Sequence, residues 1–209
     1  MMSVRTATTG QHGVYWSQQL FACLAEMAEH DTNAVLLALA GVDVVETERR
    51  YPDEGLMFAN TRWRAFYHCH EAATRHQNEH GHFHIFTNMG GEQWAHVAGL
   101  AIDSYGQPLH WFAVNRWVTD GPWLGRKQFI HQLRTSAEDE QDSLLGRWLF
   151  ALLQLHQDEI SDLFKSRDER LRSYTKKLEL VSVLEQQEIY TLATKEIGLQ
   201  AMLEKHLLH

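Results

Sequence analysis

In the nonapeptide NEHGHFHIF, residues 78–86, histidines stand at alternate positions: His80, His82 and His84. A period of two is the repeat of an extended strand and conflicts with the 3.6-residue repeat of a helix. The stretch therefore predicts a strand that gathers its imidazoles on one face. Ten residues earlier the segment YHCHE carries His68 and His70 at the same spacing, so they too would share a face.

The neighbouring sequence supports a sheet. RWRAFYHCHEA alternates and is rich in aromatic residues, although Ala65, Phe66, Cys69, Ala72 and Ala73 leave open a helix over 62–76. WAHVAGLAID and PLHWFAVNRWV follow, joined by the turn SYGQ with Gly106. Strand candidates with short connections predict an antiparallel meander of about four strands over 62–118.

Helical signals flank this region. SQQLFACLAEMAEHD places Leu20, Leu24 and Met27 on one stripe, and TNAVLLALAG offers Thr32 or Asn33 as N-cap and Gly41 as stop. Together they predict N-terminal helices over 14–41. RRYPDEGLMFANT reads as a loop, broken by Pro52 and Gly55. Beyond Gly121, GRKQFIHQL reads as a short helix, and TSAE at 135–138 has capping-box spacing. SLLGRWLFALLQLHQDEISDLF is apolar around much of its circumference and predicts a buried helix. Leu171, Tyr174, Leu178, Val181 and Leu184 continue at helical intervals, with LELVSVL open to an edge-strand reading. Residues 124–208 are thus expected to be mainly helical. The expected fold is α+β: one domain over 1–209, with N-terminal and C-terminal helices packed on the meander.

Composition narrows the function. The chain has 209 residues and a formal charge of −8 with neutral histidines, and it has no lysine or arginine cluster. That argues against non-specific nucleic-acid binding. No apolar run is long enough for a bilayer and the first residues do not resemble a secretory signal, so a cytoplasmic protein without a membrane partner is expected. Two cysteines, Cys23 and Cys69, make no disulfide framework. Histidine is the anomaly: of 14 in the chain, six fall between positions 68 and 84.

If the two histidine-bearing strands pair around the loop AATRHQNE, facing Cβ atoms would lie roughly 4.5–5.5 Å apart. Imidazoles from both strands could then converge on one ion. The candidate ligands are His68, His70, His82 and His84. Strand residues four apart are separated by about 13 Å, which keeps His80 from sharing an ion with His84. His80 and Glu79 are left as catalytic acid–base candidates, with Glu79 able to orient an imidazole through its other nitrogen. Neutral imidazole suits iron or zinc first, copper and nickel behind, and the absence of oxygen ligands disfavours magnesium and calcium. Strand parity turns Cys69 away from His68 and His70. It places His96 with Ala98 and Leu100, and His110 with Phe112 and Val114, with one or both open to lining the histidine face. Arg116 reads as an ordinary ion pair to Asp103 or Asp120, and Trp111 and Trp117 as core residues. No GxSxG, Walker, dinucleotide-binding or HExxH pattern occurs.

The run RYP…FYHCH…NEHGHFHIF…NRWVTD resembles an uncharacterised bacterial family marked by a YHxH element followed by EHGHFH. The resemblance covers roughly residues 50–120 and rests on His68, His70, Glu79, His80, His82 and His84. It implies that these residues act together and names no chemistry. The alternating histidines are also similar to the HxH pair of cupins. There a glutamate follows three or four residues on, whereas here the next acidic residue after His84 is Glu92.

These readings converge on a metalloprotein acting on a small organic substrate, as an oxygenase or hydrolase. The alternatives are a metal or haem sensor or carrier, or a metal-free His/Glu acid–base pocket. A homo-oligomer is compatible with either class.

Overall fold

The computed structural model of this chain describes residues 9–71, 76–176 and 178–198 together with residue 204. Helix α1 spans Thr9–Glu29 and α2 Ala34–Ala38. Leu20 and Met27 bury the predicted stripe of α1, and Trp16 meets Phe150 edge-on at 5.3 Å. Asn33 caps α2, its side chain accepting hydrogen bonds from the backbone N–H of Val35 and Leu36 at 2.9 and 3.0 Å. Gly41, at φ +77°, marks the exit.

Six strands then form one sheet in sequence order: β1 Tyr51–Phe58, β2 Trp63–His68, β3 Gly81–Gly90, β4 Gln93–Ile102, β5 Pro108–Val114 and β6 Thr191–Glu196. Every neighbouring pair is antiparallel. The expected α+β meander with flanking helices is therefore present, wider than expected by one strand at each edge. Residues 51–58 form β1 rather than a loop. Pro52 and Gly55, the latter at φ +80°, are accommodated where the β1–β2 register slips between Tyr51 and Leu56. An edge strand tolerates such residues because half of its backbone bonds face away from the ladder. The strand reading of 63–68 holds over the helical one: Trp63, Ala65 and Tyr67 are all fully buried on one side.

The C-terminal part departs further from a mainly helical reading. After α3 (Arg116–Thr119) and α4 (Arg126–Thr135), the long apolar run divides at His156 into α5 (Leu144–Leu155) and α6 (Gln157–Thr175). TSAE caps no helix, because Thr135 ends α4 and the Ser136 hydroxyl bonds back to the Gln132 carbonyl at 2.8 Å. Ser143 is the N-cap of α5. LELVSVL contains a short helix, α7 (Leu180–Leu184), and the chain then returns as β6 against β5. Leu171, Val183 and Leu192 pack together to seat this return.

Period-two alternation divides the sheet's residues. Tyr67, Phe83, Ile85, Leu100 and Trp111 face α5 and α6 and share one core with Trp148, Leu149 and Phe164. The opposite face carries Phe66, His68, His82, His84 and Phe112. Burial of the first face holds the strands rigid and leaves the second for chemistry. Among the described residues, no helix is long and apolar enough to cross a membrane.

Candidate metal centre

Strands β2 and β3 pair so that His68 faces His82 and Phe66 faces His84. One hairpin therefore brings together three imidazoles, with His82 and His84 side by side on β3. Their ring centres lie 4.5 Å (His68–His82), 5.0 Å (His68–His84) and 5.0 Å (His82–His84) apart. One ring nitrogen from each falls within 4.8 Å of the others. Metal–nitrogen bonds of about 2.0–2.1 Å at tetrahedral angles would set ligand nitrogens about 3.3 Å and ring centres about 5 Å apart. The three side chains could thus hold one ion with small adjustments. His84 is 1% exposed and His82 4%.

Hydrogen bonds orient two of the rings. Glu79 Oε1 lies 2.6 Å from His82 Nδ1. An ionised carboxylate only accepts, so Nδ1 carries the proton and Nε2 keeps its lone pair in the neutral ring. Nε2 of His68 lies 2.6 Å from that Nε2, so the two nitrogens share one hydrogen bond. His84 Nδ1 lies 3.0 Å from His96 Nε2, which leaves the Nε2 of His84 for the cluster. His96 reaches this face through an extra residue in β4. Register runs Ile85↔Ala98 and then Phe86↔His96, so Val97 is a bulge. Val97 and Ala98 both join the helix-side core while His96 turns to the histidine side. The bulge corrects the expected grouping of His96 with Ala98 and Leu100, while His96 does line the histidine face, one of the expectations for it.

Burial keeps three of the rings, His68, His84 and His96, uncharged. Burial, followed by the neighbouring His82, His70 and Arg50, pulls His68 down to about 3. Burial drives His84 well below its ordinary value, and burial with the Arg167 charge takes His96 to about 3. Burial alone would raise Glu79. The hydrogen bond from His82, followed by electrostatic attraction to His82, His110 and His70, outweighs it and holds the carboxyl below its ordinary range. A folded chain that refuses protons accepted by the unfolded chain loses stability as pH falls below about 6.5. Each such histidine adds a slope of at most about 1.4 kcal/mol per pH unit. The urea midpoint of metal-free protein is therefore expected to drop between pH 7.5 and 5.5, where carboxylates stay ionised. An unchanged midpoint would mean that these rings titrate normally.

The other sequence candidates lie around the three rings. His70 follows the end of β2; its ring centre is 4.9 Å from that of His68 and 5.1 Å from that of His82, and its Nδ1 is bonded to Glu48. His80 precedes β3, and its Nδ1 meets the hydroxyl of Tyr67, a helix-side core residue, at 2.6 Å. The structure thus brings Glu79 to the cluster and leaves His80 apart from it. His110 does lie on the histidine side with Phe112, its ring centre 4.9 Å from that of His76. Arg116 pairs with Glu185, not Asp103 or Asp120. Trp111 fills the core as expected, whereas Trp117 sits on α3 and donates Nε1–H to the Ile189 carbonyl at 2.9 Å.

A cleft of about 640 Å³ opens over the cluster, reaching His82, Glu79, His70 and Glu48 on one side and His110 and Phe112 below. Tyr190, Thr191 and Thr194 supply the far wall. These three and Glu48 escaped the sequence reading, since they come from an edge strand and a loop with no histidine signal. Phe112 packs edge-on against His82 and His84 at 5.0 and 5.8 Å. Its ring fills the space over Gly99, where an added Cβ would sit 2.1 Å from Cζ.

No curated protein and no solved structure matches the chain significantly. A family model does match, over nearly the whole described length, in keeping with the expectation of an uncharacterised family. The chain belongs to the family described as Domain of unknown function (DUF6969), whose model covers residues 15–197.

Proposed function

We propose that this is a cytoplasmic metalloenzyme whose single first-row transition ion is held by His68, His82 and His84 and serves a small organic substrate in the adjoining cleft. The observation that carries the reading is the convergence of three imidazoles from one hairpin, two of them buried and the third half-buried, with one ring nitrogen each within 4.8 Å. Neutral nitrogen donors favour iron or zinc, with copper and nickel next. Three protein ligands leave a coordination position for water or substrate, the pattern of catalytic rather than structural sites. A bound ion of this kind supplies Lewis acidity, a bound hydroxide or oxygen activation, which is the chemistry of hydrolases and oxygenases.

The chain's own groups have separable roles in this reading. Glu79 fixes the tautomer of His82, His96 does the same for His84, and Phe112 braces both rings. Glu79 also reaches the cleft and is placed to take a proton from a bound molecule. The volume of about 640 Å³ lies within the range of small-molecule sites.

The test is elemental analysis of protein purified without an affinity tag. About one equivalent of a transition metal is expected, and an absorption or paramagnetic-resonance spectrum then separates iron and copper from zinc. Metal-free protein from cells supplied with all four metals would overturn the reading. It would leave the Glu79–His82 pair as a metal-free acid–base dyad. One observation favours a second reading, that of a metal sensor or carrier. Leu178, Leu180 and Val181 expose 47%, 51% and 65% of their surface around α7, as a partner-binding edge would.

A further inference from the structure

We propose that Arg50 and Arg64 form a binding site for a small oxyanion, a carboxylate or phosphate group, at the end of the histidine face away from the cleft. Strand parity sets its place. On that face β2 carries Arg64, Phe66 and His68 in turn, and His70, which lines the cleft, follows the end of the strand. Across the ladder Phe66 faces His84 and Arg64 faces Phe86. The rings of Phe66 and Phe86 stack with their centres 5.5 Å apart, and a guanidinium lies over each. Arg50 stands 4.5 Å from the Phe66 centre; Arg64 stands 5.6 Å from that of Phe86 and 4.7 Å from that of Trp94. Two cations are thereby laid on one aromatic floor.

The protein supplies neither cation with an opposite charge. Among the described residues, Arg49, Arg116, Arg147 and Arg167 each pair with a carboxylate, whereas Arg50 and Arg64 pair with none. What Arg64 meets instead is like charge: burial, followed by the charge of Arg50, lowers its pKa. Its Nε–H is buried with no acceptor among the described residues. Strand β1 makes room for this side chain, because a Cβ on Gly55 would sit 2.9 Å from Arg64 Cγ and 3.0 Å from Cδ. A guanidinium presents parallel N–H donors that match two oxygens of a carboxylate or phosphate. An oxyanion taken up by the pair supplies both the missing charge and the missing acceptors.

Inorganic phosphate and succinate are the probes, titrated calorimetrically into metal-free protein at low ionic strength. Saturable binding of at least one of them is expected. Phosphate alone points to a phosphate-bearing ligand, succinate alone to an organic acid, and both to the oxyanion chemistry they share. Changing Arg50→Gln and Arg64→Gln together should weaken that binding at least about tenfold, the loss of one or more charge-assisted hydrogen bonds. Arg50 is exposed, so Arg50→Gln alone is expected to keep the fold and should itself weaken binding severalfold. Arg49→Gln should leave binding unchanged, since that arginine is already held by Glu46 and Asp53. No saturable binding of either anion would overturn the site and leave the two arginines as covers for apolar rings. Undiminished binding in the Arg50 variant or the double variant would overturn it equally. The protein carries no metal in these titrations, so their outcome is separate from whether His68, His82 and His84 hold an ion.

Discussion

Replacing His82 with alanine is expected to lower transition-metal affinity by more than about a hundredfold, since even orienting partners of ligands cost 10–100-fold. His82 occupies the centre of the arrangement. It faces His68 across the ladder, adjoins His84 along β3, and alone of the three lines the cleft. Removing it leaves two ligands and takes away the ring that Glu79 orients. Glu79→Gln is the informative comparison. Glutamine can still accept from Nδ1 but brings no charge, so its loss should stay within about 10–100-fold. Competition with a chromophoric chelator measures both. Full metal content in the His82 variant would remove it from the ligand set, whatever its effect on activity.

The second large effect concerns the other side of the same strand. Trp148→Ala is expected to cost about 3–5 kcal/mol. That is a large share of the about 5–15 kcal/mol that keeps a typical domain folded. Trp148 is fully buried on α5 and packs against Phe83 at 6.1 Å between ring centres. Phe83 lies between His82 and His84 in sequence and points oppositely, so the indole seats the strand that bears two ligands. Trp148→Phe should cost far less. It keeps most of the ring and removes an indole N–H that is buried with no hydrogen-bond partner among the described residues. Urea midpoints of the two variants separate the contributions of volume and polarity. A cost below about 1 kcal/mol for the alanine variant would mean that α5 does not carry β3.

How much of this could be read from sequence depends on where period-two alternation applies. It held inside strands: His68, His82 and His84 met because their parity is set by regular β2 and β3. It stopped at strand ends. His70 and His80 each lie one or two residues beyond a boundary, and both turn to other partners, Glu48 and Tyr67. It failed within β4, where the bulge at Val97 moved His96 to the other face. A bulge leaves no mark in a sequence of ordinary apolar residues. Strands β1 and β6 were missed for a different reason. Their pairing is decided by what lies beside them, and Pro52, Gly55 and the polar run TLATKE weaken every local strand signal.

The three proposed ligands all come from one hairpin, while the far wall of the cleft comes from the last strand, β6. The two have very different dependence on the rest of the chain. Hairpin pairing is local, whereas β6 must return across a long connection. An ion bound by the hairpin would therefore outlast partial unfolding at the C-terminal margin, stabilising the assembled state by mass action. Fraying of β6 would widen the entrance for a bulky guest without releasing the ion.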